Sequence, residues 1–473
     1  MPHHPMTTSI GVPFWLLVLL VLFAAIGIVD RVFAPSVRWF FRRRVNQAID
    51  ELNQRLDTRI RPFRLTQRQS QVERLIYDAK VVEAVDAEAR ATGEPRAVVM
   101  KRAERYAHEI VPSLSLTAYF GVGTRLARWI SEFVYRVRLG YSDDEALKAV
   151  PADATVVFVM NHRSNMDYVL VTYMASRRAS LSYAVGEWAR IWLLESLIRS
   201  MGAYFIRRNS GDELYRKVLG RYVAMATREG VTQAVFPEGG LSRDGLIREP
   251  KLGLLGYMVA EFDAAQGDIV FVPVGLNYDR VIEDRILTAR AEKEATGRDF
   301  RTRPLAIVAF VWNLVWLRLR GRLYRFGYAC VSFGKPISLA RWQKDRGIEF
   351  RAVPRDARFG AVQLLADDLM KAVGAIVPVL PVALASHVFL QRGDEWIGEE
   401  ELKSAVFALM SRLEGEGAHV HIPRADRDYA VSAGLRMLEL RHMIDVSELG
   451  LYRADMRERL LLQYYANSIG HLL

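Results

Sequence analysis

From residue 151 onward the chain is broken into short apolar runs, each closed by a polar or Gly/Pro cluster. This rhythm constrains the fold more than any other feature. The runs fall at Thr155–Met160, 181–185, 203–206, 233–236, 269–276 and Tyr328–Phe333, with helix-length amphipathic stretches such as 212–228 between several of them. Continuous apolar strands alternating with helices need a sheet that is covered on both faces. The pattern therefore predicts an α/β fold: a mixed, mainly parallel sheet flanked by helices. Ligand sites in open α/β sheets gather beyond the carboxyl ends of strands, and His162, Arg207, Glu238 and Tyr278 all fall just past such ends.

The flanking regions read as helical. Across 36–150, apolar residues recur at spacings of three and four, as in Leu75, Ile76, Ala79, Val82 and Val85, which is the signature of an amphipathic helix. The same spacing marks 399–414 (Leu402, Val406, Leu409, Leu413), and 431–462 resembles further helices. Residues 375–390 are largely apolar, but Pro378 and Pro381 favour a core helix over a membrane span. The expected organisation is an anchor at 1–35, a helical region at 36–150, an α/β domain at 151–340 and a helical C-terminal region at 341–473. No catalytic pattern is visible in the last of these.

Residues 10–29 carry no charge and approach the length of a membrane-crossing helix, about 20 residues. Residues 1–9 contain no Lys or Arg, which a signal peptide would want, so a retained transmembrane helix is expected. Arg31, Arg38, Arg42, Arg43 and Arg44 follow it and should hold the C-terminal bulk on the cytosolic side. Cys330 is the only cysteine, which excludes an intrachain disulfide and a Cys-cluster zinc site and fits a reducing compartment. Lys and Arg exceed Asp and Glu by 65 to 54, a net +11 that suits anionic partners. No recognisable nucleic-acid-binding module accompanies the charge. Six arginines crowd 301–325 around the apolar run 305–317, which reads equally as an interfacial segment or as a buried element.

Four blocks carry candidate chemistry. His162 and Asp167 lie five residues apart after a strand, and a turn between strand and helix would let the carboxylate orient the imidazole as a general base. The spacing alone decides little, because His421 and Asp426 repeat it with no preceding strand and with Pro423 between them. Residues 202–208 form a strand ending in Arg207 and Arg208, whose planar guanidinium groups suit phosphate. Glu238, Gly239, Gly240, Leu241, Ser242 and Arg243 form a loop whose glycines and donors can cradle an anion, with Lys251 downstream. Pro273 interrupts another apolar strand and suggests an edge position or a pocket wall.

In this order and at these separations the blocks resemble the glycerol-phosphate acyltransferase family, most nearly its bacterial membrane glycerol-3-phosphate branch. Residues 162–168 match its His-Arg-Ser-x-Met-Asp-Tyr block, and 202–208 its Gly-Ala-x-Phe-Ile-Arg-Arg block. Residues 238–245 match its Glu-Gly-Gly-Arg-Ser-Arg-x-Gly block except at Leu241, which leaves one phosphate donor fewer, and the strand 269–278 with Pro273 is the fourth. The resemblance implies a glycerolipid acyltransferase-like fold with His162 as base and Asp167 as its partner. It places Arg207, Arg208, Glu238, Gly239, Ser242 and Arg243 in the glycerol-phosphate site, and Arg163, Ser164, Gly240, Lys251 and Pro273 are counted with them. The implied substrates are glycerol 3-phosphate and an acyl-CoA or acyl-carrier-protein thioester, with no metal and no further cofactor. The expected product is lysophosphatidic acid, made at the cytoplasmic membrane beside its phospholipid. Acylation of lysophosphatidic acid at sn-2 or of dihydroxyacetone phosphate is the nearest alternative, and an anionic-lipid-binding tether is the alternative from outside enzymology. The chain is much shorter than the large enterobacterial-type enzymes.

Overall fold

The computed structural model describes residues 68–115, 117–175, 181–186, 199–207, 210–296, 326–354 and 357–473. The expected anchor at 10–29, its arginines, the run 305–317 and Arg208 lie outside these residues. Among the described residues no helix is long and apolar enough to cross a membrane.

Eight strands of the described chain form one mixed sheet: β1 (Arg136–Ser142), β2 (Thr155–Met160), β3 (Ser182–Gly186), β4 (Tyr204–Ile206), β5 (Gln233–Val235), β6 (Ile269–Tyr278), β7 (Tyr328–Phe333) and β8 (Ile337–Ser338). Their order is β1-β7-β6-β2-β5-β3-β4, with β8 also pairing β6. Strands β6, β2, β5, β3 and β4 run parallel, so their carboxyl ends share one edge. Strands β7 and β8 pair antiparallel to β6, and β1 runs parallel to β7.

The apolar runs are continuous because both faces of the sheet are covered. In β2, Val156, Phe158 and Met160 face one core while Val157 and Val159 face the other, the two-residue alternation of a strand. Helices α1 (Arg68–Ile76), α2 (Ala79–Thr92) and α3 (Arg96–Ile110) supply the second face. The first is built by α4 (Thr124–Val134) and by α5 (Met166–Ala175), which follows β2. Helix α6 (Glu213–Arg228) joins β4 to β5 on the second face, and the side chain of Asp212 caps it by accepting from Tyr215 N–H at 2.9 Å. Helix α7 (Asp284–Thr296) follows β6.

Strand β1 lies inside the region expected to be helical, since its alternation of arginines with apolar residues gives an edge strand with mostly open positions. The C-terminal helices join both cores. Helix α8 (Arg358–Ala375) joins the second core, whereas α9 (Pro381–Arg392), α10 (Glu399–Gly415), α11 (Arg427–Glu439) and α12 (Arg459–Ala466) join the first. The stretch 375–390 is divided between α8 and α9, because Pro381 occupies a first helical position where its missing N–H removes no bond. Within 431–462 an antiparallel pair, β9 (Ile444–Val446) and β10 (Tyr452–Ala454), interrupts the expected run of helices.

Pro273 does not lie on an edge. Strand β6 is central, and Pro273 pairs in register with Val159 of β2. On its other side pairing passes from β8, at Phe271, to β7, at Val274, and the Pro273 carbonyl accepts from Gly334 N–H at 2.9 Å. A residue's N–H and carbonyl point to the same side of a strand, so the missing donor falls at this change of partner and interrupts neither ladder.

The C-terminal helices are fastened by a buried ion pair. Arg441 Nη2 meets Asp284 Oδ2 at 2.6 Å, and both side chains are almost fully buried. Tyr465 Oη donates to the same carboxylate and also accepts from Val281 N–H at 3.0 Å. Breaking such a pair from one side leaves a buried charge alone. Arg441→Leu is therefore expected to lower stability by about 3–5 kcal/mol, read as the shift of the urea midpoint; a change below about 1 kcal/mol would contradict this role.

Candidate active site

The site is assembled where β2 and β5 end and their loops separate. Asn161 extends the sheet by one side chain: its amide donates to the Leu276 carbonyl at 2.9 Å and its oxygen accepts from Leu276 N–H at 2.8 Å. The next residue, His162, is gripped by its backbone. Its N–H donates to Glu238 Oε1 at 2.8 Å, and its carbonyl accepts from Ser242 N–H at 3.0 Å. The other oxygen of Glu238 accepts from Arg248 N–H at 3.1 Å. The first and third sequence blocks are thus joined at the histidine itself.

Asp167 lies in the first turn of α5, and residues 161–164 are non-helical, so the rotation of a continuous helix does not separate it from His162. His162 Nδ1 lies 2.9 Å from Asp167 Oδ2. That oxygen also accepts from Arg163 N–H at 2.7 Å and Ser164 N–H at 3.0 Å, while Oδ1 accepts from Tyr278 Oη at 2.5 Å. A carboxylate can only accept, so in the neutral imidazole the proton is assigned to Nδ1 and Nε2 keeps its lone pair. Nε2 has no hydrogen-bond partner among the described residues. The ring lies against Phe236, with centroids 4.1 Å apart, and edge-on to Tyr168 at 5.4 Å. This arrangement can take a proton from a hydroxyl and return it to a leaving group.

The other His-x4-Asp does not form such a dyad. His421 lies edge-on to Tyr328 at 5.2 Å, while Asp426 caps α11 by accepting from Tyr429 N–H at 3.0 Å.

Four residues counted with the substrate site are committed to the protein's own loops. Arg163 is buried, donates to the Gly245 carbonyl and lies over the Tyr464 ring at 5.6 Å. Ser164 Oγ donates to Glu283 at 2.7 Å. Glu238 spends both oxygens on backbone N–H groups. Ser242 Oγ donates to the Leu246 carbonyl at 2.7 Å and accepts from Gly245 N–H at 3.0 Å. Their polar groups shape the turns.

Arg207 is paired within the protein. Its guanidinium makes a two-point pair with Glu109 of α3, at 2.9 and 2.6 Å, and sits 5.0 Å from the ring centroids of both Tyr106 and Tyr215. Strand β4 is the edge strand and stands three strands from β2, about 14 Å at ordinary strand spacing. Pro273 lies within the sheet against Gly334, opposite Val159 near the end of β2.

The remaining expected residues lie on the third-block loop. Gly239 adopts a φ of +67°, and a Cβ there would stand 2.6 Å from Lys251 Cδ, so the lysine stem lies across the glycine. Gly240 and Arg243 are half-buried, and Lys251 is exposed. Leu241, where the family has an arginine, packs partly buried against the apolar core. Burial and the neighbouring Arg248 and Arg290 guanidinium groups hold Arg243 below its ordinary range. Converging cations favour an anion between them.

Several residues of the site carry no sequence motif. Glu283 accepts from Ser164 Oγ and, at 3.2 Å, from Asn165 N–H, and burial raises its carboxyl above the usual range against these bonds. Tyr278 holds Asp167, and its place at a strand end was the only signal for it. From the C-terminal region, Asn467 donates to the Asp244 carbonyl at 2.8 Å, and Gly245 (φ +89°) leaves room for the Tyr464 carbonyl where a Cβ would stand 1.9 Å away. The region without a catalytic pattern therefore walls the site.

Residues 142–277 match the family model described as Acyltransferase, and residues 311–473 match that of the glycerol-3-phosphate acyltransferase C-terminal region. The glycerol-3-phosphate acyltransferases of Actinobacillus succinogenes and Pseudomonas entomophila are 26% and 25% identical to the chain, over 87% and 86% of its length. The chain belongs to the glycerol-3-phosphate acyltransferase family. It spans about half the length of these curated relatives, 50% and 49%. Among solved structures, the 1-acyl-sn-glycerophosphate (LPA) acyltransferase of Thermotoga maritima is 18% identical, with a TM-score of 0.29, covering 54% of this chain and 79% of that one.

Burial pushes the Glu238 carboxyl up to about 7, against the opposing pull of the His162 and Arg248 N–H groups and of Arg163. With its folded value above its unfolded one, Glu238 contributes stability that is full below the unfolded value and is lost as pH rises through about 7. Glu238→Gln removes this dependence. Wild type should lose about 2 kcal/mol more than the variant between pH 5 and pH 8, measured by urea unfolding; parallel pH profiles would contradict the assignment.

Proposed function

We propose that this chain transfers a fatty acyl group from acyl-CoA or acyl-carrier-protein to the sn-1 hydroxyl of glycerol 3-phosphate, forming lysophosphatidic acid. The observation that carries the reading is the buried dyad: His162 is fixed through Nδ1 by Asp167, and Nε2 has no partner among the described residues. In the proposed reaction Nε2 accepts the proton of the 1-hydroxyl as its oxygen attacks the thioester carbonyl. The tetrahedral intermediate then collapses, the C–S bond breaks, and the proton passes from Nε2 to the departing thiolate. Asp167 stabilises the imidazolium between these steps. No metal and no cofactor beyond the acyl thioester is assigned a part.

Arg243 and Lys251 are assigned to the phosphate of the acceptor, with Arg248 and Arg290 reinforcing the positive field at Arg243. Phe236 and Tyr168 cover the imidazole, so the acceptor's approach to Nε2 requires these rings to give way. Residues 10–29 would hold the enzyme at the cytoplasmic membrane by a single span, with the α/β domain on the cytoplasmic side, where an amphiphilic product enters phospholipid directly.

The test is acyl transfer by the full chain in membranes, offering glycerol 3-phosphate, dihydroxyacetone phosphate and lysophosphatidic acid, each with CoA and carrier-protein donors. Wild type is expected to prefer glycerol 3-phosphate, and His162→Ala to lose at least about a hundredfold in turnover while remaining folded. Near-normal turnover by His162→Ala would sink the mechanism. Preference for another acceptor would move the substrate assignment and leave the dyad in place. Binding to anionic vesicles without transfer to any acceptor would favour the tether.

A further inference from the structure

Three of the four hydrogen bonds on Asp167 fall on Oδ2, and two of these come from backbone N–H groups of its own loop. The fourth stands apart. Tyr278, the last residue of β6, is brought to Oδ1 from 111 positions away in sequence. Its ring is fully buried and rests on Tyr135 with centroids 5.3 Å apart, and Tyr135 Oη in turn donates to the Arg280 carbonyl at 2.7 Å. The Tyr278 backbone N–H donates to Asn277 Oδ1 at 3.0 Å. The phenol therefore reaches Asp167 from the rigid end of a central strand and has little freedom to swing away.

We propose that Tyr278 is a positioning residue for the dyad: its hydroxyl, donating to Asp167 Oδ1, sets the carboxylate plane and through it the orientation in which His162 presents Nε2. This rests on the acyl-transfer reading above. Without the fourth donor the carboxylate is free to rotate about χ2 toward Oδ2's partners alone. It also becomes a stronger base, since a hydrogen bond to a charged group stabilises that charge. A more basic Asp167 holds the proton on imidazole more tightly and makes the neutral base scarcer on the acid side. Burial and the Asp167 charge push the Tyr278 phenol far above its ordinary range, so it remains a donor throughout.

The other titratable and charged groups around the dyad are Glu238 and Arg163 beside the His162 backbone, Glu283 below Ser164, Tyr168 on α5, Tyr135 behind Tyr278, and Tyr464 from α12. Glu238, raised to about 7 by burial, adds its own titration to any pH profile. The comparison is therefore made between variants that all retain Glu238.

The experiment measures kcat, KM and the pH dependence of kcat/KM for the full chain in membranes, with glycerol 3-phosphate and acyl-CoA. Tyr278→Phe is expected to lose about tenfold in kcat with both KM values within about twofold, and its acid limb should move up by about half a pH unit. A ring-fluorinated tyrosine at 278 is a stronger donor of nearly the same size and should move that limb down. This second substitution keeps the test open if the phenylalanine variant folds poorly. A merely structural role would lower stability or kcat and leave both limbs where wild type has them, and that result, or movement of both in one direction, overturns the proposal. His162→Ala is run in parallel: if it keeps near-normal turnover, the acyl-transfer reading itself fails, whatever Tyr278 does.

Discussion

Everything in this site depends on a buried carboxylate that can only accept. Asp167 takes a proton donor from the imidazole, two from the backbone of its own loop and one from Tyr278. Each of those bonds also fixes something else: the ring orientation of His162, the turn between β2 and α5, and the approach of β6. A neutral side chain in the same place would satisfy some of these donors and turn others away. Because the group is out of reach of water, the loss would not be made good by solvent. The dyad is therefore a structural knot as well as a reactive pair.

A second layer of order keeps the knot in place. The backbone of His162 is held on both sides by the loop after β5, through Glu238 and Ser242. Arg163 and Ser164 tie the loop between β2 and α5 to Gly245 and Glu283. Glu283 is followed by Asp284, which the C-terminal helices grip through Arg441 and Tyr465. A chain of short contacts thus runs from the last helices to the base. Arg163, Ser164, Glu238 and Ser242 of the first and third blocks serve this assembly.

The strands were legible because both faces of the sheet are covered, which leaves runs such as Thr155–Met160 uninterrupted by polar residues. The dyad was legible because its two members lie within one turn of chain. What could not be read was the partnership of distant residues. Nothing near Arg207 in sequence indicates that Glu109 will claim its guanidinium, and a strand ending in arginines looks the same whether they face a ligand or a carboxylate. Pro273 suggested an edge, yet it sits centrally at a change of strand partner, a fact of topology with no local signature. Tyr464 and Asn467 lie in an ordinary amphipathic helix and its continuation, and only the fold brings them to the site. Leu241 is also explained by packing, since its side chain joins the apolar core.

The central claim is that the neutral His162 ring carries its proton on Nδ1 and its lone pair on Nε2. Nitrogen NMR of histidine-labelled protein, with the His162 signals assigned by difference against His162→Gln, tests this directly. The account predicts an Nδ1 shift typical of a protonated ring nitrogen coupled to Asp167, and an Nε2 shift typical of an unprotonated one. A proton found on Nε2 in the neutral ring would contradict it.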